Sequence, residues 1–165
     1  MRYWEDFGRG QVLELGSHTI TRAEIIEFAS QWDPQSFHVD EQAALGSSFH
    51  GLAASGWHTA CILMRLYADA LLLDAASMGS PGLEELRWLV PVRPGDVLTA
   101  SVHVLDVAPS SRRPDRGTVF MRWEVRNGVG EVVLRMTGRG LFGRRPVAAA
   151  VALPTERETS APRGG

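Results

Sequence analysis

The chain has 165 residues, 44% of them apolar and 22% charged, with a formal net charge of -2. That length suits one domain with a real core, and the near-neutral balance gives no electrostatic basis for a nucleic-acid or anionic-membrane partner. A single cysteine excludes an internal disulfide, and no apolar run is long enough to span a bilayer.

Residues 1–6 lack the apolar core of a signal peptide, so a cytoplasmic location is expected. Tyr3, Trp4 and Phe7 are expected to pack down onto the body. Val12, Leu13 and Leu15 suggest a first strand that His18-Thr19-Ile20 continues beyond Gly16. Thr21-Arg22-Ala23-Glu24 reads as a capping box. Ile25, Ile26, Phe28, Ala29 and Trp32 then give an apolar stripe at helical spacing. Pro34 stops this helix by disfavouring the α conformation at Asp33. Asp40 caps a short helix closed by Gly46.

A long core helix is expected over about 54–75, with Trp57, Cys61, Met64, Ala68 and Leu71 on one face. Among such apolar neighbours Cys61 reads as a buried, inert thiol. The second half switches to strand periodicity: 85–90, then a turn at 91–96, a strand at 97–107 with Val102, Val104 and Asp106 on one face, and strands at 118–126 and 131–142. A polar loop spans 110–116, and Asn127-Gly128-Val129-Gly130 makes a tight hairpin. The tail, 146–165, is rich in Ala, Pro and Gly and reads as disordered, leaving 1–145 as a single domain. Helices followed by a meander predict an α+β fold, a curved antiparallel sheet wrapped around the long helix. One such unit leaves a side open, so a homodimer is expected.

Asp33 and His38 are five apart on a segment whose start cannot be helical. A carboxylate and an imidazole sharing one water can take a proton from it and return one elsewhere. With eight Asp and five His in the chain, such a spacing also arises by chance. Gly51, ahead of the long helix, either frees amides at its positive end for an oxyanion or simply permits a turn. Thr59 either offers its hydroxyl to a site or bonds back to a helix carbonyl. His58 fits a core or a solvent position. The arginines of 110–116 fit phosphate contacts less well than a solvated hairpin tip. There is no serine-hydrolase elbow, zinc-binding His-Glu-x-x-His or phosphate-cradling loop.

Together these pieces resemble the MaoC-like dehydratases, the family that includes the (R)-specific enoyl-CoA hydratases. The resemblance rests on three segments in order. They are Asp33-Pro34-Gln35-Ser36-Phe37-His38-Val39-Asp40, then 51–59 (Gly-Leu-Ala-Ala-Ser-Gly-Trp-His-Thr), then 86–96, ending Val92-Arg93-Pro94-Gly95-Asp96. It implies a hotdog fold, a dimer or dimer of dimers, and an acyl tunnel beside the long helix. It implies that water adds reversibly across the 2,3-double bond of an enoyl thioester. Asp33 and His38 would be the acid–base pair and Gly51 an oxyanion amide. Thr59 would match a serine position of hydratases, and Gln35 would stand near a substrate-contacting Asn. No metal or redox cofactor is implied; coenzyme A or an acyl carrier arrives as part of the substrate. A thioesterase on this fold usually carries a carboxylate in or near the start of the long helix, and 51–59 holds none. A non-catalytic acyl-thioester binder would keep the tunnel without needing Asp33 and His38 together.

Overall fold

Local chemistry sets the first helix of the computed structural model, which describes residues 1–146. The Thr21 amide donates to Glu24 Oε2 at 2.7 Å, and the Glu24 amide donates to Thr21 Oγ1 at 3.2 Å. This reciprocal cap starts α1, Arg22–Trp32, which ends at Asp33 ahead of Pro34. Two short helices follow, α2 (Ser36–Val39) and α3 (Glu41–Leu45), then the longest helix, α4 (Gly56–Ala70). Asp40 Oδ1 caps α3 by accepting from the amides of Gln42 and Ala43.

Five strands, β1 (Val12–Thr19), β2 (Leu83–Trp88), β3 (Val97–Pro109), β4 (Arg116–Arg126) and β5 (Val132–Gly143), form one sheet. Its order is β1-β3-β4-β5-β2, with every pair antiparallel. Alternate residues of the central strand β4 and its neighbour β3 turn inward: Val102 and Val104 from β3, Val119, Met121 and Val125 from β4. They meet Ile62, Leu63 and Tyr67 of α4 in a single apolar cluster. Burying a side chain of Leu63's size stabilises by about 1.5–3 kcal/mol. Phe7 is buried, and the Trp4 indole donates to the Thr118 carbonyl, so the N-terminal aromatics do pack down. The result is the expected α+β hotdog arrangement of a sheet around a central helix.

Five expectations are corrected. The long helix stops at Ala70, because Leu71 leaves helical geometry (φ -138°, ψ -55°) to become buried. Its inward face is His58, Thr59, Ile62, Leu63 and Tyr67, whereas Trp57, Cys61 and Met64 are exposed. Cys61 is therefore not a buried thiol. In β3 the register slips between Val104 and Asp106, so Leu105 and Asp106 are both exposed and the alternation ends there. On α1, Trp32 is exposed while Ile25 and Ala29 carry the buried stripe. Apart from Pro146, the tail expected at 146–165 lies outside the described residues. No helix among the described residues is long and apolar enough to cross a membrane.

Candidate active site

Asp33 sits where α1 gives way to loop, its amide still donating to the Ala29 carbonyl at 2.9 Å. Pro34 turns the chain, and the single turn of α2 brings His38 back toward Asp33. His38 Nε2 lies 3.5 Å from Asp33 Oδ2. His38 is 5% exposed, its ring held edge-on by Phe37.

Each of the two side chains has its orientation fixed from outside the pair. Ser55 Oγ donates to Asp33 Oδ2 at 2.7 Å, and Gln35 Nε2 donates to Oδ1 at 2.7 Å. His38 Nδ1 lies 2.7 Å from the Ala53 carbonyl. A carbonyl only accepts, so Nδ1 carries a proton and Nε2 is the nitrogen that faces Asp33. Burial alone would raise the Asp33 carboxyl. The donations from Ser55 and Gln35 and the nearby His38 outweigh it and hold that carboxyl below its ordinary value.

These groups open on a cavity of about 460 Å³. Its polar wall is Asp33, Gln35, His38 and Thr59, and its apolar wall includes Trp57 and Trp88. The structure thus brings four of the five expected residues around one space. Thr59 Oγ1 also reaches back to the Ser55 carbonyl at 3.5 Å, so both readings of its hydroxyl stay compatible with its position.

Gly51 is the exception. Its amide already donates to the Ala44 carbonyl at 3.0 Å, and it lines a neighbouring groove with His50 and Arg93. The oxyanion role expected for Gly51 therefore does not fit. The residue that stands at the start of α4 and in the cavity wall is Gly56. First-turn amides have no helical carbonyl to bond, and they lie at the positive end of the helix dipole. A side chain at Gly56 would collide with Trp88, whose ring lies 2.5 Å from where a Cβ would be. The sequence held two glycines in one motif, and only the true helix start separates them.

Ser55 was also missed. It is fully buried, and its hydroxyl both caps α4, accepting from the Trp57 amide at 3.3 Å, and donates to Asp33. An N-cap signal was present in Ser55-Gly56, but nothing local tied it to a carboxylate 22 residues earlier. His58 is buried in a separate groove, stacked on Phe28 with centroids 4.6 Å apart. Arg113 and Arg116 both pair with Asp115 at the opposite end of the sheet, which fits a hairpin tip.

Known proteins place this arrangement. Residues 7–120 match the family described as MaoC like domain, so the chain belongs to the MaoC-like dehydratase family. A solved MaoC-like dehydratase from Rhodospirillum rubrum superimposes with a TM-score of 0.83 at 44% identity, covering 89% of this chain and all of the other. An (R)-specific enoyl-CoA hydratase from the same species is 30% identical over 118 residues, 68% of this chain and 76% of its own length. The Bacillus subtilis protein YdeM, uncharacterized, is 32% identical over 105 residues, 64% of this chain and 74% of its own.

Proposed function

We propose that this protein is an enoyl-thioester hydratase that adds water across, or removes it to form, the 2,3-double bond of an acyl-CoA or acyl-carrier substrate. The observation that carries the reading is the Asp33–His38 pair, with both partners held by the 53–55 segment and both facing one cavity. Kinship with an (R)-specific enoyl-CoA hydratase supports the same chemistry.

A carboxyl held below its ordinary value is a poor proton acceptor. In this reading Asp33 therefore holds the water and balances charge, while His38 moves the proton. The thioester carbonyl accepts from the Gly56 amide, so negative charge gathers on that oxygen as the double bond is attacked. Water held by Asp33 Oδ2 loses a proton to His38 Nε2 as its oxygen bonds to C3. The imidazolium then returns a proton to C2. One water is consumed and the carbon chain undergoes no net redox change. The reaction needs no metal or redox cofactor, because the amide polarises the carbonyl.

A second copy of the chain completes the assembly. Strand β2, beyond β5, is one of the two edge strands of the sheet, and unpaired edges recruit further strands. Trp57, Met64, Trp88 and Leu89 expose apolar surface on α4 and around the end of that strand. Light scattering should give a dimer mass or a multiple of it, and Met64→Glu should lower it. A monomer at all concentrations sinks the assembly reading.

The test of activity is loss of enoyl absorbance when crotonyl-CoA and longer enoyl-CoAs meet the protein. Hydration is expected. Tight acyl-CoA binding without turnover on any enoyl thioester would replace the enzyme reading with a binding one.

A further inference from the structure

The Arg93 guanidinium has no carboxylate partner among the described residues. It spends its donors on main chain 41–44 residues away. Nη1 donates to the carbonyls of Gly51 (2.7 Å) and Leu52 (3.0 Å), and Nη2 to that of Phe49. One residue earlier, the Val92 carbonyl accepts from the Ala54 amide at 2.9 Å. Asp96 fixes the other side, accepting from the Arg93 amide at 2.7 Å.

The segment held this way is strained. His50 has φ +53° and Gly51 has φ +146°. A non-glycine residue in the left-handed region persists only where its surroundings over-determine it. Phe49, on this turn, walls the cavity against Phe37. Immediately after the turn come the Ala53 carbonyl that accepts from His38 Nδ1 and the Ser55 hydroxyl that donates to Asp33. The Ala53 carbonyl and the Ser55 hydroxyl thus both follow the one turn that Arg93 ties down, while Gln35 donates to Asp33 from its own segment.

We propose that Arg93 is a positioning residue: by gathering three carbonyls of 49–52 it holds the Ala53 carbonyl against His38 and so fixes the imidazole as the Nδ1–H tautomer. Only a planar fork serves carbonyls spread across two nitrogens. A lysine ammonium is a single point with three donors and cannot span them. Arg93 touches neither Asp33 nor His38, so its effect passes entirely through the turn.

The test reads the tautomer directly and does not depend on the hydratase assignment. ¹⁵N-labelled protein is followed by long-range imidazole correlation spectra, with His103 on β3 as an internal reference. Wild type should show His38 in its neutral form as the Nδ1–H tautomer. Arg93→Lys and Arg93→Gln should show a mixture, with the His103 signal unmoved. Where enoyl-CoA turnover is measurable, kcat should fall by about 10–100-fold, the range for removing a group that orients a functional ligand, with KM within about threefold. Arg93→Lys, which keeps the stem and the charge, is the variant expected to fold if Arg93→Gln does not.

A His38 that is Nε2–H in wild type overturns the proposal without any variant. So does an unchanged tautomer in either folded variant, whatever its kcat. A shifted tautomer in a protein that hydrates no enoyl thioester would sink the hydratase reading and leave the role of Arg93 standing.

Discussion

The cavity and the loop between β3 and β4 hold their charged side chains in opposite ways. Around the cavity, polar groups reach across the chain: Ser55 to Asp33, His38 to Ala53, Arg93 to 49–52, with separations of 15 to 44 residues. In the loop, Arg113 and Arg116 pair with Asp115, within two residues. Local pairs cost the fold little to form and position nothing else. Long-range pairs hold distant segments in one geometry, as a site with two cooperating groups requires. Substitutions around the cavity should therefore cost function out of proportion to stability, and those in the β3–β4 loop should cost neither.

The strongest break of that contrast is at the pair itself. Asp33→Asn and His38→Ala should each lower kcat/KM on an enoyl-CoA by about 10²–10⁴-fold, the range for a positioned acid or base. The check is enoyl absorbance, with circular dichroism confirming the fold. Full activity in both folded variants would remove the acid–base assignment.

Gly56→Ala comes next, and it sharpens which glycine matters. The new methyl would lie within 3 Å of the Trp88 indole, so the ring must move, and the ring is a wall of the cavity. Overpacking of this kind costs about 1–3 kcal/mol. The gain in helix propensity, at most about 1 kcal/mol, offsets only part of it. Urea unfolding should show the loss, and kcat/KM should fall with it. Adding Trp88→Ala should recover stability relative to Gly56→Ala alone. Gly51→Ala should act by a different route: at φ +146° a side chain strains the turn that carries the Ala53 carbonyl and the Ser55 hydroxyl, while the Trp88 wall stays in place.

How much of this was legible depended on how locally each feature was decided. The Thr21–Glu24 cap, the Asp40 cap and the stop at Pro34 involve residues within four positions, and they stand as read. The proximity of Asp33 and His38 was legible for the same reason, as one turn of chain separates them. The buried face of α4 was not legible, because apolar residues surround that helix and only the sheet decides which of them face in. Trp57 and Met64 are as apolar as Ile62 and Leu63, yet only the latter meet strands β3 and β4. The end of α4 at Ala70 carries no glycine or proline signal; the burial of Leu71 sets it. Ser55 and Gly56 were visible as letters in a motif, but their roles depend on contacts with Asp33 and Trp88, 22 and 32 positions away.

Ser55→Ala should have a smaller effect with a distinctive pH signature. It leaves a carboxylate oxygen of Asp33 without its donor, at about 1–3 kcal/mol, and removes the α4 cap, typically about 1 kcal/mol. Asp33 is held below its ordinary value of 3.8, and Ser55 is the first of the contacts that lower it. A depressed carboxyl stabilises the fold above its unfolded value, and that stabilisation is lost as pH falls through the folded value. The deficit of Ser55→Ala should thus be largest near neutral pH and shrink on acidification below about 3.8. The acid limb of kcat/KM should move to higher pH. Urea unfolding at pH 7 and below pH 4, with a pH–rate profile, checks both. A deficit equal at all pH values would show that Ser55 serves the helix cap alone.

The smallest effect is expected in the β3–β4 loop. Arg116 and Asp115 are neighbours in sequence, and their mutual attraction holds the Asp115 carboxyl below its ordinary value without fixing any distant segment. Exposed pairs of this kind are screened by water and salt. Arg113→Gln and Arg116→Gln should therefore leave kcat/KM within about twofold and Tm within about 2 °C. The reading that a coenzyme A phosphate meets these arginines predicts something else: a rise in KM for CoA thioesters with kcat unchanged, absent for a pantetheine thioester that lacks the nucleotide. In one chain the tip lies at the strand ends away from the cavity, so such a rise would mean that a partner's substrate reaches it. The comparison between the two regions would then have to be redrawn across the dimer rather than along the sheet.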